Sequence, residues 1–377
     1  MTLFPVYPLY PITPVRGQGS YVYTEDGTRY LDFYGGHAVI SIGHAHPHYV
    51  RMISEQVARL GFYSNSVENP LQQELADKLG RLSGMDDYQL FLVSSGAEAN
   101  ENALKLASFQ TGRSRIIAFR GGFHGRTSAA VNATDNEAIK APINRNYPVT
   151  FLDLDDLDAV DRELRKGDVA AVIIEGIQGV GGIHVPAADY LEALPDLCHD
   201  NGALLILDEV QSGYGRSGKF FAFQHSGVRP DLVTMAKGMG NGFPIGGVLI
   251  APEIEPKSGM LGTTFGGSHL ACAAGIAVLD VIEQEDLLAR TQVQGNYLMQ
   301  TLRETGLFTE VRGHGLMIGL QMEEAIAPLR KRLLFEHHLF TGSAKDPNTI
   351  RLLPPLNVTR DECEQVVEAF QEALVTP

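Results

Sequence analysis

The sequence predicts an α/β protein built on a mostly parallel sheet covered by helices, with a small α+β domain attached. Three observations carry this expectation. Through the middle of the chain, short apolar runs alternate with helix-length segments, the order that builds a parallel sheet. The runs are apolar throughout rather than at every second residue, so both faces of each strand are covered. The polar residues with chemical potential follow the C-terminal ends of those runs, where open α/β sheets bind ligands.

Composition sets the outer bounds. At 377 residues, with 44% apolar and 20% charged, the chain can bury a large core and divide into two domains. A net charge of −15 argues against nucleic acid and anionic membrane as partners. Cys198, Cys272 and Cys363 are far apart and odd in number, so neither a disulfide framework nor a zinc site is expected. The first twenty residues carry Pro5, Pro8, Pro11 and Pro14 and no apolar run, which excludes a standard signal peptide. No later stretch is long enough to span a bilayer, and a reducing cytoplasm is the expected compartment.

In chain order, Tyr7 to Gly19 reads as an extended arm. Tyr21–Tyr23 and Arg29–Phe33 flank the turn Glu25-Asp26-Gly27-Thr28, a hairpin signal. Gly35 to Gly43 is glycine-flanked and could bring backbone and His37 close to a ligand. Gly43-His44-Ala45-His46-Pro47-His48 admits two readings. One is a metal cluster on alternate positions; the other, preferred because no carboxylate or cysteine has ligand spacing, is a turn into a helix from Tyr49 to Leu60. Tyr88–Val93 is a strand, and Ser94-Ser95-Gly96-Ala97 opens a helix to about Gln110. A helix N-terminus after a strand is an anion site, although Ser-Gly at a helix start is more often only a cap.

The strand Arg115–Phe119 ends in Gly121-Gly122-Phe123-His124-Gly125-Arg126-Thr127. There Phe123 could lie flat on an aromatic ligand and Arg126 could clamp a carboxylate, against core packing and a surface ion pair as the plainer alternatives. A charged helix is expected over Asp153 to Arg165, a strand over Val169–Glu175, a helix over Tyr190 to Asn201 and strands ending at Asp208 and Ala236. Gly262 to Ser268 reads as a loop and His269 to Gln284 as a long helix. After Thr309 the pattern changes to a small α+β portion. Its last helix starts at Thr359, where Glu362 completes a capping-box spacing.

Two strand ends carry the chemistry. Lys237 ends the run Asp231 to Ala236, before the glycine-rich turn Gly238-Met239-Gly240-Asn241-Gly242. Burial disfavours an ammonium, and a neutral lysine attacks carbonyls. A lysine snorkelling from a strand end is the plain alternative. Asp208, ending the run Ala203 to Leu207, changes that balance. A lysine that forms a Schiff base and an aspartate for a pyridinium nitrogen are the pair that pyridoxal phosphate requires.

These motifs together resemble the class III aminotransferases of the fold-type I pyridoxal phosphate group, and most closely their acetylornithine and succinylornithine branch. The resemblance spans nearly the whole chain. It rests on Ser95-Gly96-Ala97-Glu98-Ala99-Asn100, Phe123-His124-Gly125-Arg126-Thr127, Asp208-Glu209-Val210-Gln211, Ala236-Lys237-Gly238 and Gly262-Thr263-Thr264-Phe265-Gly266-Gly267. It implies a large cofactor-binding domain over 46–264, and a small domain formed by 1–45 with 265–377. It implies that Lys237 holds the cofactor and moves the substrate proton, and that Asp208 keeps the pyridine nitrogen protonated. Ser95, Gly96 and Ala97 would meet the phosphate, Gln211 the ring hydroxyl, and Phe123 the ring face with His124 beside it. Thr264 would reach the phosphate of a neighbouring subunit in a homodimer with shared sites. Arg126 and Thr263 would bind substrate carboxylate or acyl-ornithine atoms, and Arg351 the α-carboxylate of glutamate and 2-oxoglutarate; His37 or a nearby basic group could meet the added carboxylate of a succinyl donor. No metal is implied.

Two positions depart from the family pattern. Val180 stands where related enzymes carry a glutamate that pairs with the small-domain arginine, so Arg351 is expected to stay available in both half-reactions. His37 stands where ornithine δ-aminotransferases have an aromatic hydroxyl and acetylornithine enzymes an aliphatic side chain. The expected reaction is N-acylornithine with 2-oxoglutarate, the acyl group acetyl or succinyl. Ornithine and 4-aminobutyrate are the rival donors. A metal-dependent hydrolase built on His44, His46 and His48 and a silent ligand-binding relative are the readings from other classes.

Overall fold

In a computed structural model that describes residues 1–375, a seven-stranded sheet runs through the large central part of the chain. Its order is Gln89–Val93, Gly246–Ile250, Leu232–Met235, Leu204–Asp208, Val169–Glu175, Arg115–Phe119 and Val149–Leu152. The last five lie parallel to one another. Their apolar runs divide by alternation between two cores. Ile116, Ala118, Ile173 and Ile206 pack on one face, while Ile117, Phe119, Val172, Leu205 and Leu207 pack on the other. Both faces are therefore dry, as continuous apolar strands require.

Gly246–Ile250 was not expected. It runs antiparallel between Gln89–Val93 and Leu232–Met235. Its glycines serve close approach. A Cβ on Gly246 would stand 2.8 Å from the Ser95 carbonyl oxygen and 2.9 Å from that of Met235. The strand thus passes directly beneath the start of the helix Gly96–Thr111. That helix is capped by Ser95 and ends on Gly112 in the left-handed region, as the sequence indicates. The helix expected from Asp153 begins only at Leu157, because Asp156 takes the cap position and accepts from the Ala159 N–H at 2.9 Å.

Two smaller four-stranded sheets flank the large one. In the first, the hairpin Tyr21–Thr24 with Arg29–Asp32 is joined by Pro14–Gln18, within the expected arm. Leu339–Phe340 then adds in parallel, so residues far apart in the chain share one sheet. The second holds Glu310–His314, Met317–Gln321, Thr349–Leu352 and Gly342–Ser343. The Thr359–Glu362 capping box forms at the last helix, with bonds of 2.8 and 3.3 Å. The helix Leu287–Glu304 had no counterpart in the sequence reading. Among the described residues no helix is long and apolar enough to cross a membrane.

Gly295 lies inside that helix, against the turn at Gly315. A Cβ there would meet the Gly315 carbonyl oxygen at 2.1 Å. Alanine usually favours a helix interior by about 1 kcal/mol over glycine. Here the clash dominates. Gly295→Ala is expected to lower stability by about 1–3 kcal/mol in urea unfolding, and a stabilised variant would contradict this packing.

Candidate active site

The C-terminal ends of three neighbouring parallel strands bring Glu175, Asp208 and Thr234 into register. Asp208 is 3% exposed. Its Oδ2 accepts from Asn100 Nδ2 and His124 Nδ1, each at 2.7 Å, and its Oδ1 from the Val210 N–H at 3.0 Å. Thr234 Oγ1 donates to Asn100 Oδ1 at 2.7 Å, and Asn100 also donates to the His124 carbonyl, so the amide orientation is fixed. Burial opposes a charge on His124, but the bond to Asp208 and the field of Asp208 and Glu175 raise its pKa overall. The pair is a buried hydrogen bond between an imidazole and a carboxyl group.

Lys237 follows the strand that carries Thr234, at the head of a 3-10 turn, with φ at 45° in the left-handed region. It keeps partial exposure only by opening on a cavity. Burial lowers its pKa, Arg351 adds to the effect, and Asp208 and Glu175 oppose it. Such a lysine has a larger neutral fraction than a solvated one. Strained backbone and lowered basicity in one residue are marks of a functional position.

The cavity measures about 370 Å³. Lys237, Asp208, Ser95, Gly96, Ala97, Phe123, His124, Arg126 and Gln211 all line it. The N-terminus of the helix Gly96–Thr111 opens there with N–H groups that have no intrahelical acceptor. A Cβ on Gly96 would stand 2.5 Å from Val210 Cγ1, so only glycine lets the helix start so close to the Asp208 strand. Phe123 is half-buried, and its N–H donates to Glu175 Oε1 at 3.0 Å. Arg126 is exposed at the mouth.

Four predicted site residues lie outside this lining. Arg351 is buried behind Gln211, to whose Oε1 its Nη1 donates at 3.1 Å. His37 sits exposed on Gly35–Ala38, a single turn in which all four residues have positive φ. Its ring pairs with the Tyr34 hydroxyl, and its carbonyl accepts from Gln211 Nε2 at 3.1 Å. Thr263 and Thr264 lie on the 262–268 loop, where Thr263 lines a separate cavity with Asn65 and Gln72, and Thr264 is exposed. The three histidines of the metal reading separate onto different acids: His44 on Asp32, His46 on Glu285 and His48 on Asp280, at 2.8–2.9 Å. Among the described residues no group of three or more metal-ligating side chains forms.

Sequence reading gave no role to Glu175 or Asn100. Burial raises the pKa of Glu175, which accepts from the Phe123 and Gly179 N–H groups and so ties two cavity walls together. An acid ending a continuous apolar strand, as Asp208 does, was the available signal for it. Asn100 sits inside the recognised Ser95–Asn100 motif, and its polarity on the buried face of a helix was the corresponding clue.

This geometry belongs with a known family. Residues 6–374 match the model of the class-III aminotransferases, and the chain belongs to that family. Among curated relatives, it is 41% identical over 356 residues to the acetylornithine aminotransferase of Archaeoglobus fulgidus, covering 94% of this chain and 93% of the relative. It is 38% identical over 381 residues to that of Bacillus subtilis, covering 99% and 97%. Among solved structures, the ornithine aminotransferase of Toxoplasma gondii superposes with a TM-score of 0.92 at 27% identity, covering 99% of this chain and 92% of that one. A Bacillus anthracis aminotransferase superposes at 0.91 and 28%, covering 100% and 96%.

The lowered basicity of Lys237 has a direct readout. In cofactor-free protein, its reaction with an amine-selective aromatic reagent should rise with pH at a midpoint below that of an ordinary lysine. Asp208→Asn removes a group that favours the ammonium and should lower the midpoint further. A midpoint at the ordinary lysine value, or an upward shift in Asp208→Asn, would contradict this electrostatic account.

Proposed function

We propose that this chain transfers the δ-amino group of N-acetyl-L-ornithine to 2-oxoglutarate, using pyridoxal 5′-phosphate and giving N-acetylglutamate 5-semialdehyde and glutamate. The observation that carries the reading is a single cavity wall. Lys237, Asp208 and the start of the helix Gly96–Thr111 face one space. The residues fit that cofactor: an amine of lowered basicity for its carbonyl, a carboxylate for its ring nitrogen, N–H donors at Ser95, Gly96 and Ala97 for its phosphate, and Phe123 and Val210 for its flat ring. The family membership and the printed activity of the relatives support the same assignment.

When bound, the cofactor supplies an electron sink and a temporary store for the amino group. The chain supplies the rest. Lys237 anchors the cofactor, removes the proton from the substrate carbon that bears the nitrogen, and returns it in the reverse sense during the second half-reaction. A base of lowered pKa suits both directions near neutral pH. Asp208, held by Asn100 and His124, keeps a proton on the ring nitrogen. Gln211 would meet the ring hydroxyl, and His124 would stand beside the ring; both line the cavity. Arg126 and Arg351 offer separate guanidinium groups to carboxylates, for which a planar fork is well suited.

The working unit of this reading is a cytosolic homodimer. The helix Pro47–Arg59 has no buried residue, and Val50, Val57, Leu60, Phe62, Tyr63, Val67 and Phe265 are exposed near it in sequence or by contact. Phe62 and Phe265 already meet at 5.2 Å between ring centroids. A second copy would cover this surface and receive Thr264 at its phosphate and Thr263 at its substrate.

One observation favours a second donor. Tyr34 and His37 pair within the electrostatic reach of Arg351, a polar environment that could meet the additional carboxylate of N-succinylornithine. A donor panel separates the two readings, and a loss confined to the acetyl donor in His37→Ala would rule out that role for His37.

The main reading is tested by absorption. The purified protein with added cofactor should show a visible band that bleaches on N-acetylornithine alone and returns on 2-oxoglutarate. Lys237→Ala should lose at least about 10²–10⁴-fold in turnover. A colourless protein, or unchanged turnover in Lys237→Ala, would contradict the proposal.

A further inference from the structure

Arg351 is a cation in an unusual setting. It is 3% exposed, and its Nε donates to the Ser343 carbonyl at 2.7 Å. Its Nη1 donates to Gln211 Oε1, and among the described residues it forms no ion pair with a carboxylate. Glu175 acts on it only through the field. A desolvated guanidinium with carbonyl and amide partners alone lacks compensation for its charge. It is a strong donor site for an incoming anion, yet it does not line the cavity.

Gln211 does. Its side chain is fixed at both ends, by the His37 carbonyl at 3.1 Å and by Arg351 at 3.1 Å. The opposite wall is shaped to this conformation. A Cβ on Gly179 would stand 1.9 Å from Gln211 Oε1, so the amide can lie against Arg351 only because position 179 has no side chain. Arg126, by contrast, is open to the mouth and bears no such cover.

We propose that Gln211 is a neutral gate on Arg351: a substrate carboxylate reaches the guanidinium by exchanging with the Gln211 amide oxygen. The inference rests on the reading of Arg351 as the holder of a substrate carboxylate. Neutrality decides its effect. Exchange replaces a hydrogen bond to a neutral amide oxygen with one to a carboxylate, ionised on both sides, so it is favourable for any carboxylate substrate in either half-reaction. A carboxylate in the place of that amide would hold the arginine itself and compete with every substrate. The gate also joins carboxylate capture to the left-handed turn Gly35–Ala38, because moving the Gln211 amide releases the His37 carbonyl. Gln211 acts here as a positioning residue.

Calorimetric titration of the holoenzyme with glutarate, an unreactive dicarboxylate, tests this. Gln211→Glu is expected to weaken glutarate binding by about ten- to hundredfold. Gly179→Ala leaves every polar group in place but pushes the amide off Arg351, and should tighten binding by about two- to tenfold. A merely structural role would not move the two variants in opposite directions. Unchanged affinity in both, or weakening in Gly179→Ala, would overturn the gate. If Gln211→Glu does not fold, Gly179→Ala decides alone. Arg351→Met separates the two levels: if it binds glutarate as well as the wild type, the parent reading of Arg351 fails, whatever the gate variants do.

Discussion

The arrangement at the end of the sheet depends on satisfying one carboxyl group with hydrogen bonds in place of water. Asp208 is almost wholly buried, and a carboxylate without partners there would lose its hydration uncompensated. Three donors offset this: the Asn100 amide, the His124 imidazole and the Val210 N–H. Each draws in another part of the chain. Asn100 fixes the helix that opens at the cavity, His124 fixes the loop that carries Phe123 and Arg126, and the Thr234 bond to Asn100 fixes the strand that leads to Lys237. The polar network and the cavity are therefore one construction, and a half-satisfied version would be worse than an apolar core.

The same logic explains where charge is left unbalanced. Lys237 faces Asp208 and Glu175 but gives up basicity to burial. Arg351 gives up solvent without gaining a carboxylate, and Val180 lines the cavity where a counter-charge could have stood. The departure at Val180 was expected to leave Arg351 available in both half-reactions. Among the described residues no carboxylate pairs with it, and the neutral Gln211 amide accepts from it.

The large sheet and its ligand edge could be read from the chain because continuous apolar runs have one common explanation, a strand covered on both faces. Lys237, Asp208, Phe123, Arg126 and the helix start at Ser95 followed from their places after those runs. What escaped was local structure in which glycine has two meanings. Gly246 and Gly247 signal a turn as readily as a strand passing under a helix, and only the neighbouring Ser95 carbonyl decides between them. The positive φ of His37 and Ala38 has no sequence signature, since neither residue favours that region. Glu175 escaped for a different reason: it ends an apolar run as Asp208 does, but its pairing with Asp208 across the sheet is not contained in that linear signal.

The central claim is that Lys237 is the point at which this chain holds its cofactor. Borohydride treatment of the protein with bound pyridoxal phosphate, followed by peptide mass spectrometry, tests it without relying on turnover. The account predicts one phosphopyridoxyl label per chain, on the peptide that contains Lys237. A label on another lysine, or none, would contradict it.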